Sequence, residues 1–554
     1  MTKLNRNTSS WWQSAVFYEI YPRSFYDTNG DGIGDLNGIT AKLDYLQDLG
    51  VDALWITPFY PSPQVDFGYD VSDYVAVDAQ FGTLAHFDLL MVEAHKRDLR
   101  VILDLVLNHT SDQHAYFKES RSSRTNPKRD WYIWRDPQPD GSPPNNWNSA
   151  FSPCAWTFDE PTGQYYYHFF YREQPDLNWR NPEVEAALFA SVRFWLERGV
   201  DGFRLDAINW MFEDEELRDN PLLPELRPGS TAEYEQELKY NRDYPETHDV
   251  LRRLRAETDK YGNDCLLIGE IVAPTLHDLM TYYGAPDDEI QLPFNFFLMR
   301  DVTKLDAAQF RCVVEASEAA LESRATTHVL SNHDNPRAFD RYGDGAHDDR
   351  IAKLLATMLL TLRGAPFIYY GEEIGMKTTD PMRLEDVRDP VGRRYFPGYK
   401  GRDGERTPMQ WTGAKHAGFT APSAMPWLPV PPVALGSDGR NVAAQEKEAA
   451  SILNFYKQAI RLRRNCPALL TGAYTTMGND PHIFAYRRYT PEQNLLIALN
   501  MSSEPRTLPL DQAATGDSQH LRLLLTTAYP TQRPSNSDAI HLAPYEALVL
   551  EAVQ

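Results

Sequence analysis

Eight short apolar runs, separated by stretches of helical periodicity, set the strongest limit on what this chain can fold into. The runs are AVFYEIY from Ala15, ALWITP from Ala53, RVILDLVLNH from Arg100, GFRLDA from Gly202, CLLIGEI from Cys265, EIQLPFNF from Glu289, THVLSNHD from Thr327 and FIYYGEE from Phe367. Their apolar character is near-continuous, as in parallel strands covered on both faces. Helical patterns lie between them, such as ITAKLDYLQDLG before the second run and HFDLLMVEAHKRD before the third. Eight strands alternating with helices predict an α/β fold, a (β/α)8 TIM barrel.

Two stretches do not belong to that alternation. Residues 110–178 are rich in Trp, Tyr, Pro and Asn and are too long for a barrel loop; they predict an inserted lobe after strand three, over the site. A second insertion, rich in Arg, Pro and Gly, runs from about Gly375 to Trp427. After the helical segment ASILNFYKQAIRLRRN the pattern changes to short alternating runs, HIFAYRRY, NLLIALNM, LRLLLTT and EALVLEA. These predict a C-terminal antiparallel β-sandwich over 472–554, which leaves 1–109 and 179–471 for the barrel.

A barrel of this kind carries its chemistry at the C-terminal ends of its strands. His109 closes the third run, Arg204 and Asp206 the fourth, Glu270 the fifth, and His333 with Asp334 the seventh. Arg204 and Asp206 are two residues apart, so both side chains share one face of a strand. A guanidinium there is expected to keep the Asp206 carboxylate ionised and able to attack an electrophilic carbon. Glu270 ends an otherwise apolar run, LLIGE, which predicts a carboxyl that resists ionisation and suits a general acid. Asp334 brings a third carboxylate, whose like charge works in the same direction. Each acid alone is also what an ordinary strand end looks like; three of them on three strand ends of one barrel are not. An acid for the leaving oxygen and a carboxylate for the anomeric carbon are what glycoside cleavage needs.

The segment Asp27-Thr28-Asn29-Gly30-Asp31-Gly32-Ile33-Gly34-Asp35 places oxygen-bearing side chains at alternate positions with glycines between them. Such a loop can wrap a hard cation. It is not an EF-hand, because Gly38 stands where the bidentate Glu would be. An Asp/Gly-rich turn without metal is the alternative.

The formal net charge of −23 argues against nucleic acid and against anionic membranes as partners. The four cysteines form no CxxC pair, so neither a disulfide framework nor a zinc site is expected. The N-terminal MTKLNRNTSSWW lacks the apolar run of a signal peptide, and no later segment is long and apolar enough to cross a bilayer, which predicts a cytoplasmic location. The aromatic content of 12% suits either a large core or surfaces that stack on sugar rings.

Taken in order, DLVLNH (Asp104 to His109), GFRLDA (from Gly202), IGE (ending at Glu270) and SNHD (from Ser331) resemble the signature segments of glycoside hydrolase family 13, the α-amylase family. QPDLN (Gln174 to Asn178) and GRDGERTPMQW (from Gly401) resemble its oligo-1,6-glucosidase and α-glucosidase branch. The resemblance implies Asp206 as nucleophile, Glu270 as acid/base and Asp334 as transition-state stabiliser. It implies that His109, Arg204 and His333 hold the glucose being cleaved, and that Tyr69 stacks on it. Asp66 and Arg402 would close the pocket around a terminal glucose, with Phe151 and Phe170 as aromatic walls. The loop residues Asp27, Asn29, Asp31, Ile33 (through its carbonyl) and Asp35 resemble the branch's metal loop, implying a structural Ca²⁺ or Mg²⁺ and no organic cofactor. Ala207, directly after the nucleophile, resembles the members that favour α-1,4 over α-1,6 links.

The expected activity is therefore that of a retaining α-glucosidase acting on small α-glucosides. Two alternatives stay open. A trehalose- or sucrose-acting transferase or isomerase uses the same triad with a different acceptor. A non-catalytic binding protein on the same barrel is the remoter one, since such proteins lose triad members.

Overall fold

The computed structural model describes residues 10–224, 235–262, 264–322, 324–510, 520–528 and 539–553. All eight runs form strands: β1 Phe17–Ile20, β2 Ala53–Ile56, β3 Arg100–Val106, β4 Gly202–Asp206, β5 Leu266–Gly269, β6 Leu292–Pro293, β7 Thr327–Val329 and β8 Ala365–Tyr369. They pair in parallel in the order β7-β8-β1-β2-β3-β4-β5-β6. No ladder joins β6 to β7 among the described residues. Strand β6 is only two residues long, and its Pro293 has no N–H to give. Asn295 spans the seam instead, donating its backbone N–H to Thr327 Oγ1 at 2.8 Å.

Alternation along the strands explains why the runs read as continuously apolar. Phe17, Ala53, Trp55, Ile102, Leu266, Ile268, Val329, Ala365 and Phe367 point inward and pack as one cluster. Their neighbours Tyr18, Leu54, Leu103, Phe203, Leu205, Leu267 and Ile368 point outward, into the larger cluster that includes the surrounding helices. Trp11 and Trp12 pack against the inner cluster.

The same parity decides what lies above the inner layer. Two residues beyond Phe17 comes Glu19, beyond Ile102 comes Asp104, and beyond Ile268 comes Glu270. On β4, Gly202, Arg204 and Asp206 share the inward face. Gly202 has to be glycine, because a Cβ there would lie 2.3 Å from the Leu266 carbonyl oxygen on β5. The barrel interior thus changes from apolar to charged at the C-terminal ends of its strands.

Between β3 and β4 a three-stranded antiparallel sheet forms from Trp134–Arg135, Gln164–Tyr167 and Trp156–Asp159. It has its own small core of Ile133, Trp147, Ala155, Trp156, Tyr167 and Phe169. A bridge between His109 and Asp176 ties its far end back to the tip of β3.

The C-terminal segment forms β9 Ala473–Met477, β10 Ile483–Tyr489, β11 Asn494–Asn500, β12 Arg506–Pro509, β13 His520–Thr526, β14 Ala539–Leu542 and β15 Ala547–Val553. Five of them make an antiparallel sheet ordered β9-β10-β11-β15-β13; β12 and β14 make a second. Ile483, Ala485, Leu496, Ala498, Leu548 and Leu550 face Leu508, Ile540 and Leu542 of the small sheet. The opposite face, with Phe484, Tyr486, Leu495, Ile497 and Leu499, joins the barrel's outer core.

Candidate active site

Arg204 stands at the centre of the charged layer. Its Nη1 meets Asp206 Oδ1 at 2.7 Å and Asp104 Oδ1 at 2.8 Å, and its Nη2 meets Glu270 Oε2 at 2.8 Å. One buried guanidinium therefore holds three carboxylates from β3, β4 and the tip of β5. The Glu270 backbone N–H still continues the ladder, donating to Leu205 O at 2.8 Å.

Two sequence expectations change here. Glu270 does not sit at an apolar lip, because its Oε2 also accepts the Ala207 N–H at 3.1 Å. Asp206 is not kept low by Arg204. Burial pushes it well above the usual carboxylate range, Arg204 pulls the other way, and the charges of Glu270 and Asp104 add to the rise. The sequence showed the partner but not the depth of burial or the two competing acids.

The third acid has the opposite surroundings. Asp334 Oδ1 meets Arg406 Nη2 at 2.6 Å and Arg402 Nη1 at 3.1 Å, and its Oδ2 lies 3.3 Å from His333 Nε2. Burial alone would raise its carboxyl, but His333, Arg402 and Arg406 outweigh this and hold it far below the usual range. Its charge is answered by cations, so it does not act simply as a bare negative neighbour of Glu270.

The expected pocket residues come together. Arg402 Nη2 pairs with Asp66 Oδ1 at 2.7 Å. The Arg402 guanidinium also lies over the Phe151 ring, 5.4 Å from its centroid. Phe170 tilts against both Phe151 (5.9 Å) and His109 (5.2 Å). His109 is neutral, because burial lowers its imidazole to about 3. Tyr69 donates its hydroxyl to Asp104 Oδ2 at 2.9 Å, and its ring lies parallel to His333 at 5.3 Å.

Several residues at the site were not singled out from the sequence. Asp389 accepts Arg402 Nε and the Arg402 backbone N–H, both at 2.8 Å, and its carboxyl falls to about 2 because Arg402 outweighs its burial. Gln174 Nε2 reaches Asp66 Oδ2 at 3.2 Å. Arg406, Asp104 and Glu19 complete the set. The signal for Glu19 and Asp104 was a charged residue inside an apolar run at inward parity. Asp389 carried no such signal, since it lies in an irregular insertion.

In the loop of residues 27–35, Asp27 Oδ1 accepts the N–H groups of Asn29 and Gly30, and Asp27 Oδ2 accepts those of Gly32 and the Thr420 hydroxyl. Asn29 Oδ1 accepts Asp31 N–H, Asp31 Oδ1 accepts Ile33 N–H, and Asp35 Oδ1 accepts Gly38 N–H. Among the described residues no three His, Cys, Asp or Glu side chains converge on a point a metal ion could fill. The side chains offer oxygen, the donor type a hard cation takes, and Asp31, which accepts two bonds, keeps spare acceptor sites, whereas Asp27 and Asp35 each already accept four contacts.

An eight-stranded parallel barrel with three acids converging on its charged end defines a glycosidase-type site. Residues 19–472 match the alpha amylase catalytic domain family, and the chain belongs to that family. It is similar to a probable alpha-glucosidase of Rhizobium meliloti, 45% identical with 92% of this chain and 93% of that protein covered. It is also similar to an oligo-1,6-glucosidase of Parageobacillus thermoglucosidasius, 39% identical with 97% and 98% covered. Among solved structures it resembles an alpha-glucosyl transfer enzyme, 41% identical with a TM-score of 0.89, covering 98% of this chain and 100% of that one.

Proposed function

We propose that this chain is a retaining α-glucosidase that removes single glucoses from the ends of short α-glucosides. The observation that carries this reading is the pairing of Asp206 and Glu270 with one guanidinium, beside an Arg402 that joins Asp66 to Asp334. The first two supply the nucleophile and the proton donor. The Asp66–Arg402 pair walls the site beyond one sugar, which favours chain ends over the middle of a polymer. The similar alpha-glucosidase and oligo-1,6-glucosidase support the substrate class.

In this reading Glu270 carries the proton to be transferred, and the Asp206 carboxylate, paired with Arg204, is the attacking group. Asp206 attacks the anomeric carbon while the glycosidic C–O bond breaks, and Glu270 gives its proton to the leaving oxygen. Water then attacks the anomeric carbon of the glucosyl–Asp206 ester, Glu270 takes the water's proton, the bond from that carbon to the Asp206 oxygen breaks, and α-glucose leaves with the Asp206 carboxylate restored. Asp334, held charged by its three cations, faces the positive charge that develops on the ring. The roles of His109, Arg204, His333 and Tyr69 are to hold the sugar hydroxyls and ring. Phe151 and Phe170 wall the pocket.

The loop of Asp27, Asn29, Asp31, Ile33 and Asp35 would hold one Ca²⁺ or Mg²⁺ in a structural role, through side-chain oxygens and the Ile33 carbonyl. A cytoplasmic location fits the four free cysteines, which suit a reducing compartment. The helices give no contrary sign, since none among the described residues is long and apolar enough to cross a membrane.

Transfer of glucose to an acceptor other than water is the second reading, favoured by the 41% identical alpha-glucosyl transfer enzyme. One assay separates the two: free glucose and transfer products measured side by side from maltose, isomaltose, trehalose, sucrose and starch. Glucose release from the disaccharides with little attack on starch is expected. Rapid release of long oligosaccharides from starch would overturn the exo-acting reading, and transfer products exceeding free glucose would favour the second.

A further inference from the structure

Beneath the triad, Glu19 is a carboxylate that the catalytic scheme does not use. It comes from β1, is 1% exposed, and points inward by the parity that places Phe17 in the barrel core. Its Oε1 lies 2.5 Å from His333 Nδ1 and accepts the His333 backbone N–H at 3.3 Å. With Oε1 as the acceptor, Nδ1 is the donor.

On the other side of the imidazole, Nε2 faces the Tyr69 hydroxyl at 2.8 Å and Asp334 Oδ2 at 3.3 Å. A neutral ring with its proton on Nδ1 would turn a lone pair toward the Asp334 carboxylate. A doubly protonated ring gives its Nε2–H to the Tyr69 oxygen and sets a positive charge 3.3 Å from the carboxylate. The remaining neighbours are the Tyr21 ring, stacked at 6.0 Å, the edge-on Trp55 at 5.9 Å, and Arg406, whose Nε donates to His333 O at 2.7 Å. Asp104 and Arg204 act on the pair from β3 and β4.

We propose that Glu19 is a positioning residue for the glycosidase reaction: it holds His333 as an imidazolium whose positive charge, 3.3 Å from Asp334 Oδ2, keeps that carboxylate in place. The inference rests on the glycosidase reading above. Burial works against a charge on His333, and Asp334 and Glu19 outweigh it, raising the imidazole above its ordinary value. Burial likewise pushes Glu19 up, while His333 and Arg204 draw it down.

The test is the pH profile of kcat/KM on 4-nitrophenyl α-glucoside, from about pH 5 to pH 9, a span that covers the titration range of histidine. That leaving group needs little help from Glu270, so the alkaline limb reports other groups. Glu19→Gln keeps the shape and an acceptor but removes the charge. Its alkaline limb should move down by about 1–3 units, the effect of losing an opposite charge in contact. Glu19→Asp keeps the charge at longer reach, so its limb should fall between the two. A loss by the same factor at every pH, or limbs that coincide with wild type in both variants, overturns the proposal. If Glu19→Gln does not fold, Glu19→Asp alone decides by the same criterion. A wild-type protein that cleaves no α-glucoside overturns the glycosidase reading instead, and the role of Glu19 with it.

Discussion

Arg402 Nη2 lies 2.7 Å from Asp66 Oδ1, and this contact joins two loops 336 residues apart in sequence. The same guanidinium reaches Asp334 and Asp389, so one side chain ties the Asp66 loop to the third acid. Arg402→Ala should lower kcat/KM on maltose by about 10²-fold, the scale of losing one preorganised electrostatic partner. It should also raise the relative rate on longer chains, read as the product pattern from a maltooligosaccharide. An unchanged preference for disaccharides would show that the pair does not wall the pocket.

Asp206→Ala should abolish turnover with the fold retained, checked by circular dichroism. Glu270→Gln should lose about 10²–10⁴-fold on maltose, the worth of a general acid, but much less on 4-nitrophenyl α-glucoside. Equal losses on both would remove Glu270 from the acid role. The two carboxyl groups should stand about 5–5.5 Å apart in a crystal structure, the retaining spacing, and NMR should show α-glucose as the first product.

How much of this was legible in the sequence follows from periodicity. The eight strands were readable because inward and outward faces are both apolar, and the acids because they end those strands. Long-range pairing was not readable. Nothing local marks Asp389 as the partner of Arg402, or says that Asp104, Asp206 and Glu270 share one guanidinium. Solvation was misjudged for the same reason: the run LLIGE looks apolar in one dimension, while Arg204 and the Ala207 N–H arrive at Glu270 from another strand and its following turn.

Glu372 gives a pH prediction away from the triad. Buried behind the Asp334 loop, it accepts the Ser331 hydroxyl at 2.7 Å and the Tyr456 hydroxyl at 3.0 Å. Burial raises its carboxyl to about 7. A raised acid contributes stability that is fully present below its unfolded value, about 4.3, and lost as pH rises through its folded value. Glu372→Gln should therefore match wild type in stability near pH 4 and exceed it near pH 8, by on the order of 1–3 kcal/mol, read as a Tm difference that grows between the two. A Tm difference that does not grow between those two conditions would show that the carboxyl is not neutral in the fold.

Chelation tests the loop of Asp27, Asn29, Asp31, Ile33 and Asp35. Asp27 also binds the Thr420 hydroxyl and donates its N–H to Phe419 O at 3.0 Å, so the loop pins the second insertion to the end of β1. Treatment with EDTA should lower Tm while initial activity at moderate temperature persists, and Ca²⁺ or Mg²⁺ should restore Tm. Immediate loss of activity with unchanged melting would mean that the ion serves the reaction rather than the fold.

Ala207 combines two constraints that the sequence reading treated as one. From its resemblance, the position sets linkage by bulk: Ala leaves room where a β-branched residue crowds the leaving sugar. The structure adds that Ala207 is left-handed, φ 51° and ψ 35°, and donates its N–H to Glu270. A β-branched residue in that region is strained, at a cost of order 1–3 kcal/mol. Wild type should prefer maltose to isomaltose by about tenfold, or about 1.4 kcal/mol in the barrier. Ala207→Val should shrink that ratio, and it should also lower Tm and slow both substrates, because relief of strain moves the N–H that holds the acid. Ala207→Gly removes the strain and keeps the N–H, so it should retain both the rate and the ratio. If Ala207→Val alters the ratio with Tm unchanged, bulk alone acts here. If isomaltose is the better substrate and neither variant alters the ratio, the surrounding loops set the linkage.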